Sequence, residues 1–245
     1  MNRIKLFAIL LSGLFMTSMA VRAEDAPPKH WKDMGEFSVV SANGNSKTTT
    51  TSAKNTFTYE WTHAALELIG GGLGSSSRDD VTAEQYNASE KVSVPLTVDK
   101  KNYVFEKFGW DKNRFAGYRN RWDGSAGYGR EIFKISSSTL ISELGAGYIN
   151  EERIDAPRND FASGRAYTKF TQILSATAQF SQDAEYLHDF SDRKDYRLNT
   201  ESALVASIST HLALKASFKW ARVARPPTGI GKDDTTTSVA LVVNY

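Results

Sequence analysis

The last eleven residues of the chain form an alternating segment that restricts the possible folds more than any other part of the sequence. They read T-T-T-S-V-A-L-V-V-N-Y, and every second position from Val239 onward carries an apolar or aromatic side chain. Because alternate residues of a β-strand share one face, these side chains form an apolar face that ends in an aromatic ring. Such a strand is typical of the closing strand of an outer-membrane β-barrel, and it also fits the last strand of a soluble sandwich. In a barrel, this face also resembles the signal that the barrel-assembly machinery reads, here formed by Val239, Leu241, Val243 and Tyr245.

The first 23 residues have the three parts of an export signal. Arg3 and Lys5 supply the positive start, Leu6–Met19 the apolar centre, and Ala20–Ala23 the cleavage site. We expect the mature chain to begin at Glu24, since polar residues interrupt the apolar stretch before it reaches the length of a membrane anchor. The sequence contains no cysteine, which excludes both a lipoprotein anchor and disulfide bonds.

The charge of the mature chain argues against a nucleic-acid partner. Residues 1–23 contain three of the 30 basic residues and none of the 28 acidic ones, which leaves 27 basic residues against 28 acidic ones. A protein that binds nucleic acid normally keeps a strong positive excess. After residue 23 no apolar run approaches the length of a spanning helix, whereas barrel strands need only alternate apolar residues. The sequence therefore excludes helical membrane spans and permits a spanning barrel.

Twelve alternating segments follow, and we interpret them as the strands of a single barrel domain at 35–245. Residues 24–34 contain two prolines and mixed charge, and they are predicted to be a periplasmic lead-in. The clearest alternation runs from Leu174 to Tyr186. Two segments are less regular. Glu90 interrupts the apolar face of the fourth strand, and the fifth strand, 102–111, has aromatic residues throughout, so its orientation stays open.

The lengths of the predicted connections separate the barrel from the sandwich. With both termini in the periplasm, the external connections are longer than nearly all of the periplasmic ones, as is the rule for outer-membrane barrels. We therefore predict an all-β, antiparallel, up-and-down transmembrane β-barrel of about 12 strands. It would lie in the outer membrane of a Gram-negative bacterium, in contact with lipid and lipopolysaccharide. The external connections are those near 76–82, 112–117, 151–161, 188–195 and 225–234.

The polar faces of these strands carry charges of both signs that would converge on one lumen. We expect these charges to pair in a partly dry interior. A twelve-stranded barrel is wider than the eight-stranded kind that side chains just fill, and narrower than a porin. The sequence therefore predicts a lumen filled mostly by ion pairs, with a small channel for ions or polar solutes as the alternative. The lumen-facing candidates are Arg121, Asp123, Glu143, Arg165, Lys169, Asp183, Glu185, Arg197, Glu201, Lys215 and Lys219.

Motifs for enzymatic chemistry are absent from the sequence. It contains no HExxH, CxxC or EF-hand spacing, and its four histidines lie in the lead-in, at turns or at the rim. A membrane-embedded hydrolase is therefore the second alternative. The loop 188–195 combines His188 with three aspartates, which leaves a bound cation open. The glycine-rich run 70–74 lacks the Gly-Lys-Ser/Thr of a phosphate loop and is interpreted as curvature of the barrel wall. We predict no enzyme activity, catalytic residue, cofactor or metal.

Three parts of the chain carry a family resemblance: the Gly44-Asn45 turn after the first strand, the aromatic and basic stretch Phe105–Gly129, and the closing strand. Together they resemble the salt-induced outer-membrane protein family, also called YdiY-like, over roughly residues 31–245. The resemblance implies an outer-membrane barrel of unassigned activity. No catalytic residue transfers from it, and we expect a structural barrel or one related to envelope or salt stress.

Overall fold

The computed structural model describes residues 30–42, 48–77, 80–154 and 157–245, and these residues form a closed antiparallel barrel. Each strand pairs with its neighbours in sequence, and the last strand pairs with the first. This confirms the predicted all-β, up-and-down barrel. The strands are β1 Trp31–Ala42, β2 Thr48–Glu60, β3 Ala65–Ser77, β4 Asp80–Pro95, β5 Asn102–Asn113, β6 Tyr118–Lys134, β7 Ser138–Arg153, β8 Asn159–Ile173, β9 Ala178–Asp189, β10 Tyr196–Ser207, β11 Leu212–Val223 and β12 Asp233–Asn244.

The only helical segment in the described residues is a short 3-10 turn, Arg114–Ala116, which Asn113 caps between β5 and β6. Within the same residues, no helix has the length and apolar character needed to cross a membrane.

The barrel begins earlier than the sequence predicted. β1 starts at Trp31, where the backbone pairs with Tyr59, so the last part of the predicted lead-in belongs to the barrel and its boundary at residue 35 was wrong. The Trp31 ring stacks on Phe57 of β2 with the ring centroids 6.4 Å apart, and this packing holds the start of the strand against its neighbour. The predicted export signal and residues 24–29 lie outside the described residues.

The structure resolves the orientation of β5. Phe105 is 4% exposed and lies inside the barrel, whereas Phe108 is 44% exposed and stacks on Trp122 of β6 outside it, with the ring centroids 5.5 Å apart. Both faces carry aromatic rings, which explains why alternation alone could not orient this strand. Glu90 lies on the outer face, opposite Leu68 on β3 and Phe108 on β5, so the interruption seen in the sequence persists in the fold.

The two ends of the barrel differ. We call the end that holds His30 and Tyr245 the terminal end, and the opposite one the loop end. The predicted difference in connection length holds only in part, since residues 78–79 alone separate β3 from β4. The prediction failed there because both strands continue farther than expected, with Ser77 pairing with Asp80. Likewise, Leu174 does not begin β9 as predicted, because it lies in a turn and donates its backbone N–H to Ala178.

The tightest backbone approach in the barrel wall does not lie at the glycine-rich run of β3. A Cβ atom at Gly70 or Gly74 would meet nothing within 4 Å, so curvature does not require glycine at these two positions. In contrast, a Cβ at Gly127 of β6 would lie 2.1 Å from the Leu144 carbonyl oxygen of β7. A Cβ at Gly129 would lie 2.3 Å from the Tyr103 ring, so this glycine makes room for a side chain of the lumen.

Candidate functional site: the ion-paired lumen

Charged side chains meet inside the barrel in three clusters. The central cluster is built around Glu143 of β7, which is 1% exposed. Lys91 of β4 contacts Glu143 Oε1, and Arg165 Nη1 of β8 lies 2.8 Å from its Oε2. Arg165 also bridges to β9, with its Nε 2.7 Å from Glu185 Oε1. Lys107 Nζ of β5 reaches the same Glu185 oxygen at 2.9 Å. The pairs β4–β7 and β5–β9 join strands that are not neighbours, so the cluster bridges the lumen.

Two aromatic side chains of β5 complete the central cluster. The Tyr103 hydroxyl donates a hydrogen bond of 2.8 Å to Glu143 Oε1. The Phe105 ring centroid lies 5.4 Å from Lys91 Nζ and 5.2 Å from Arg165 Cζ, distances at which a ring face attracts a cation. Every charged group of the cluster therefore has a partner of opposite charge, which offsets the cost of removing it from water.

The loop-end cluster is built around Glu151 of β7. Arg197 Nη2 of β10 lies 2.8 Å from Glu151 Oε2, and Arg153 Nε lies 2.7 Å from Oε1. Arg121 of β6 joins more loosely at 3.7 Å and also contacts Asp111 Oδ2 of β5 at 3.3 Å. Since β7 and β10 are not neighbours, the Glu151–Arg197 pair is a third bridge across the lumen.

The seam cluster lies where β12 closes the barrel onto β1. Lys215 Nζ of β11 lies 3.0 Å from Glu36 Oε2 of β1 and 2.8 Å from Glu201 Oε1 of β10. Lys54 Nζ of β2 is 3.8 Å from Glu36, and Lys219 Nζ is 3.5 Å from Glu201. Three lysines thus share two glutamates, and the Lys219 side chain is still 49% exposed.

With this geometry established, the comparisons with known proteins identify the family. Residues 35–245 match the family model described as "Protein of unknown function, DUF481". The chain belongs to the DUF481 family. It is 28% identical over 229 residues to "Uncharacterized protein YdiY" of Escherichia coli (strain K12), covering 89% of this chain and 88% of that protein. The resemblance to the YdiY-like family is therefore confirmed.

Solved structures share the fold of this DUF481 chain. The COG4313 outer membrane channel from Pseudomonas putida F1 superposes with a TM-score of 0.54 at 13% identity, covering 92% of this chain and 100% of that one. The translocator domain of the autotransporter NalP from Neisseria meningitidis gives a TM-score of 0.50 at 14% identity, covering 90% of each chain. At these identities the likeness concerns the fold alone, which is that of outer-membrane barrels.

The structure brings most of the sequence-predicted lumen residues of the DUF481 barrel into the three clusters. Asp123, Lys169 and Asp183 make no ion pair within 4.0 Å among the described residues. Asp123 lies over Gly109, near Lys107 and Arg121. Lys169 and Asp183 are cross-strand neighbours on β8 and β9. The predicted residues in the clusters are Arg121, Glu143, Arg165, Glu185, Arg197, Glu201, Lys215 and Lys219.

Several members of the clusters were missing from the sequence-based set. Glu36 alternates in phase with Ser38 on the inner face of β1, but it lies near the boundary with the predicted lead-in. Lys107 and Asp111 were missed because β5 had no assigned orientation. Alternation alone would have found Lys91, which precedes the outward-facing Val92. The full set of missed residues is Glu36, Lys54, Lys91, Tyr103, Lys107, Asp111, Glu151 and Arg153.

Connections at the loop end fold over the mouth of the DUF481 barrel. Arg225 Nη1 lies 2.6 Å from Asp192 Oδ2 and ties the connection before β12 to the one before β10. Pro227 and Ile230 come so close to Gly117 that a Cβ there would lie 2.9 and 3.0 Å from them. A partly open pocket beneath these residues, between Tyr118 and Glu151, measures about 20 Å³, roughly the volume that one water needs. These contacts narrow the mouth on the side of Gly117 and Pro227.

The predicted alternative of a cation in the loop 188–195 finds no support in the described carboxylates. Asp189 Oδ1 accepts hydrogen bonds from the backbone N–H and the hydroxyl of Ser191, at 2.7 and 2.5 Å. Burial raises the pKa of Asp195 above that of an ordinary carboxyl group, although nearby Arg197 acts in the opposite direction. Nowhere in the part of the chain that the structure describes do three or more His, Asp or Glu side chains form a group that could hold a metal ion.

Proposed function

We propose that this DUF481 protein is an outer-membrane barrel of a Gram-negative bacterium. Its terminal end would face the periplasm, and its ion-paired lumen would close it to solutes. The supporting observation is the pair of bridges across the lumen, Lys91–Glu143 and Lys107–Glu185, linked by Arg165. A barrel of this strand number has space for a passage, and these side chains occupy it.

In this proposal the barrel has a structural role in the envelope, in the response to envelope or salt stress that the family resemblance implies. The outer face supports membrane placement, since exposed apolar side chains of β12, Val239 and Leu241, continue onto Phe37 of β1 and Phe218 of β11. Such a face is stable against lipid and costly in water. The same face of β12 would be the signal for the barrel-assembly machinery, and lipopolysaccharide would contact the outer rim.

A small channel remains the second candidate because two lysines of the lumen keep solvent contact. Lys219 is about half exposed, and Lys169 at the other end of the barrel is also exposed. Partly hydrated lysines at both ends would allow a narrow passage for small anions if the central cluster opened. The two proposals differ in whether the central cluster, which contains the deeply buried Glu143 and Arg165, stays closed or opens.

The proposed placement and the closed lumen can be tested together with purified protein. The folded barrel should resist detergent at room temperature and change its mobility on a gel after boiling, because its closed hydrogen bonding persists until heat disrupts it. Liposomes that contain the folded protein, whose gel mobility changes on boiling, should not swell in an isosmotic solution of arabinose. Recovery of the native protein in the soluble periplasm would contradict the placement. Swelling at the rate of a porin control would contradict the closed lumen and favour the channel.

A further inference from the structure

The seam between β1 and β12 is paired over only part of its described length. β1 pairs with β2 along its whole length, and β12 pairs with β11 from Asp233 to Val243. The two strands pair with each other only where Met34–Phe37 faces Leu241–Asn244, extended by backbone hydrogen bonds between Asp33 and Tyr245. Beyond Phe37 and Leu241 the described residues of β1 and β12 form no further pairs. We call the unpaired part of the described seam, 38–42 of β1 and 236–240 of β12, the gap.

In the orientation proposed above, the gap would lie at the height of the outer leaflet. Val39 and Val239 mark its lower edge on the outer surface, with exposed fractions of 70% and 59%. Trp220 of β11, next to Lys219 in sequence, donates its Nε1–H to Asp233 at 3.0 Å, and Trp is typical of the level of the lipid head groups. Alternate residues of a strand direct their backbone groups toward opposite neighbours. Part of the backbone of residues 236–240 therefore faces the gap, which is strongly unfavourable in bare hydrocarbon.

The inner side of the gap is polar and positively charged. Lys219 of β11 pairs in register with Thr236 of β12, so it lies at the height of the gap. Lys215, opposite Ala240 at the lower edge, is already held by two glutamates. Ser38 of β1 is buried there, and the Ser217 and Ser238 hydroxyls share a hydrogen bond of 2.8 Å. Lys219 is the cation of the seam cluster with the most remaining exposure.

We propose that the gap is a lateral binding site for an anionic amphiphile with a single apolar chain, such as a fatty acid, entering from the outer leaflet. The anionic head group would reach Lys219, and the chain would lie along Val39, Val239 and Phe218. This arrangement matches an apolar outer rim to the tail and a positive inner rim to the head, and the carboxylate would also accept hydrogen bonds from backbone N–H groups of β12 that face the gap. The inference rests on the membrane placement proposed above.

The test uses the full-length protein in lipid nanodiscs, after the gel shift has shown that the barrel is folded. The probe is a fatty acid that carries a photoreactive diazirine in its chain, with the matching uncharged alcohol as a comparison. Labelling should concentrate on β11 and β12 near Lys219. Loss of the charge-assisted contact in Lys219→Ala should weaken labelling about tenfold, while Lys219→Arg keeps it. Equal labelling by the alcohol, or labelling spread over all strands, would overturn the proposal.

Closing the gap should abolish labelling. Because the sequence contains no cysteine, introduced cysteines cannot pair with a native one. Val39→Cys with Val239→Cys would lock the gap on oxidation, and reduction should restore labelling. Phe37→Cys with Leu241→Cys, across a site that is already paired, is the matched control and should leave labelling unchanged. Unchanged labelling in the locked protein would contradict the site, as would disulfides between two copies, which would show that a second chain fills the gap.

Hydrogen exchange supplies an independent measurement if the disulfide does not form. The amides of residues 236–240 that face β1 should exchange faster than those facing β11, and the fatty acid should slow them. Uniformly protected amides in the unliganded barrel would show that the gap is closed and would overturn the inference. If the protein does not fold or insert as a barrel, the initial gel shift is absent. Failure of the proposed membrane barrel is therefore distinguished from failure of the lateral binding site.

Discussion

Replacing Glu143 with Ala is expected to lower the free energy of unfolding by about 3–5 kcal/mol, the cost of breaking a buried ion pair by removing one partner. The reason is that Arg165, whose side chain is 3% exposed, and Lys91 would both lose the carboxylate that offsets their burial. The measurement is equilibrium unfolding in urea of protein reconstituted in lipid vesicles, followed by tryptophan fluorescence.

Two controls separate this effect from a general loss of negative charge. Asp160→Ala removes the acidic partner of Arg158 in an exposed ion pair of 3.1 Å and should cost about 1 kcal/mol or less. Combining Glu143→Ala with Arg165→Met should cost less than the sum of the single changes, because the second removes a charge that the first left unpaired. If Glu143→Ala costs no more than Asp160→Ala, the central cluster does not stabilise the barrel.

Placing aspartate on the outer face of the closing strand is expected to prevent assembly. Leu241→Asp and Val243→Asp each put a charge toward lipid at a cost of about 1–2 kcal/mol, since Asp costs less than Arg or Lys there. Both positions also lie in the short segment that joins β12 to β1, opposite Phe37 and Gly35. Their combined cost is therefore a large part of a stability of about 5–15 kcal/mol and acts where closure depends on few residues. The measurement is the fraction of the protein that is recovered in the outer membrane in folded form, as shown by a change of gel mobility on boiling.

Thr236→Asp is the matched control, because it adds the same charge to the same strand on the inner face. Thr236 pairs in register with Lys219, so its carboxylate would have a nearby cation. We expect near-normal recovery of this variant. Deleting Tyr245 should also lower recovery, since its backbone N–H donates to the Asp33 carbonyl oxygen at 2.9 Å and closes the seam at the terminal end. Normal insertion of the double aspartate variant would mean that this face does not meet lipid.

The sequence predicts the type of fold well because, in a half-buried strand, the polarity of each side chain indicates the face on which it lies. The alternation of Val239 and Leu241 indicates an outward apolar face, and the structure exposes both side chains. Alternation does not orient a strand whose two faces carry similar residues, as in β5 with Phe105 inside and Phe108 outside. Alternation also does not locate the ends of strands, since β3 and β4 continue up to Ser77 and Asp80.

The partners within the lumen cannot be predicted from alternation. The Lys91–Glu143 contact joins β4 to β7 and depends on the diameter of the closed barrel and on the stagger of its strands, which no local pattern records. The gap has the same origin, because the offset between β1 and β12 accumulates over all the turns between them. Alternation thus identifies many of the lumen side chains, whereas closure of the barrel determines which of them meet.

Ionic conductance in planar lipid bilayers tests the central claim, a lumen closed by ion pairs, most directly. The account predicts little or no steady conductance from the unmodified barrel. It predicts an increase when Arg165, Lys169, Lys215 and Lys219 are together replaced by Ala or Ser, because Arg165 joins the two bridges of the central cluster and Lys215 holds the seam cluster together. High and stable conductance from the unmodified protein, with no change in the variant, would contradict the account.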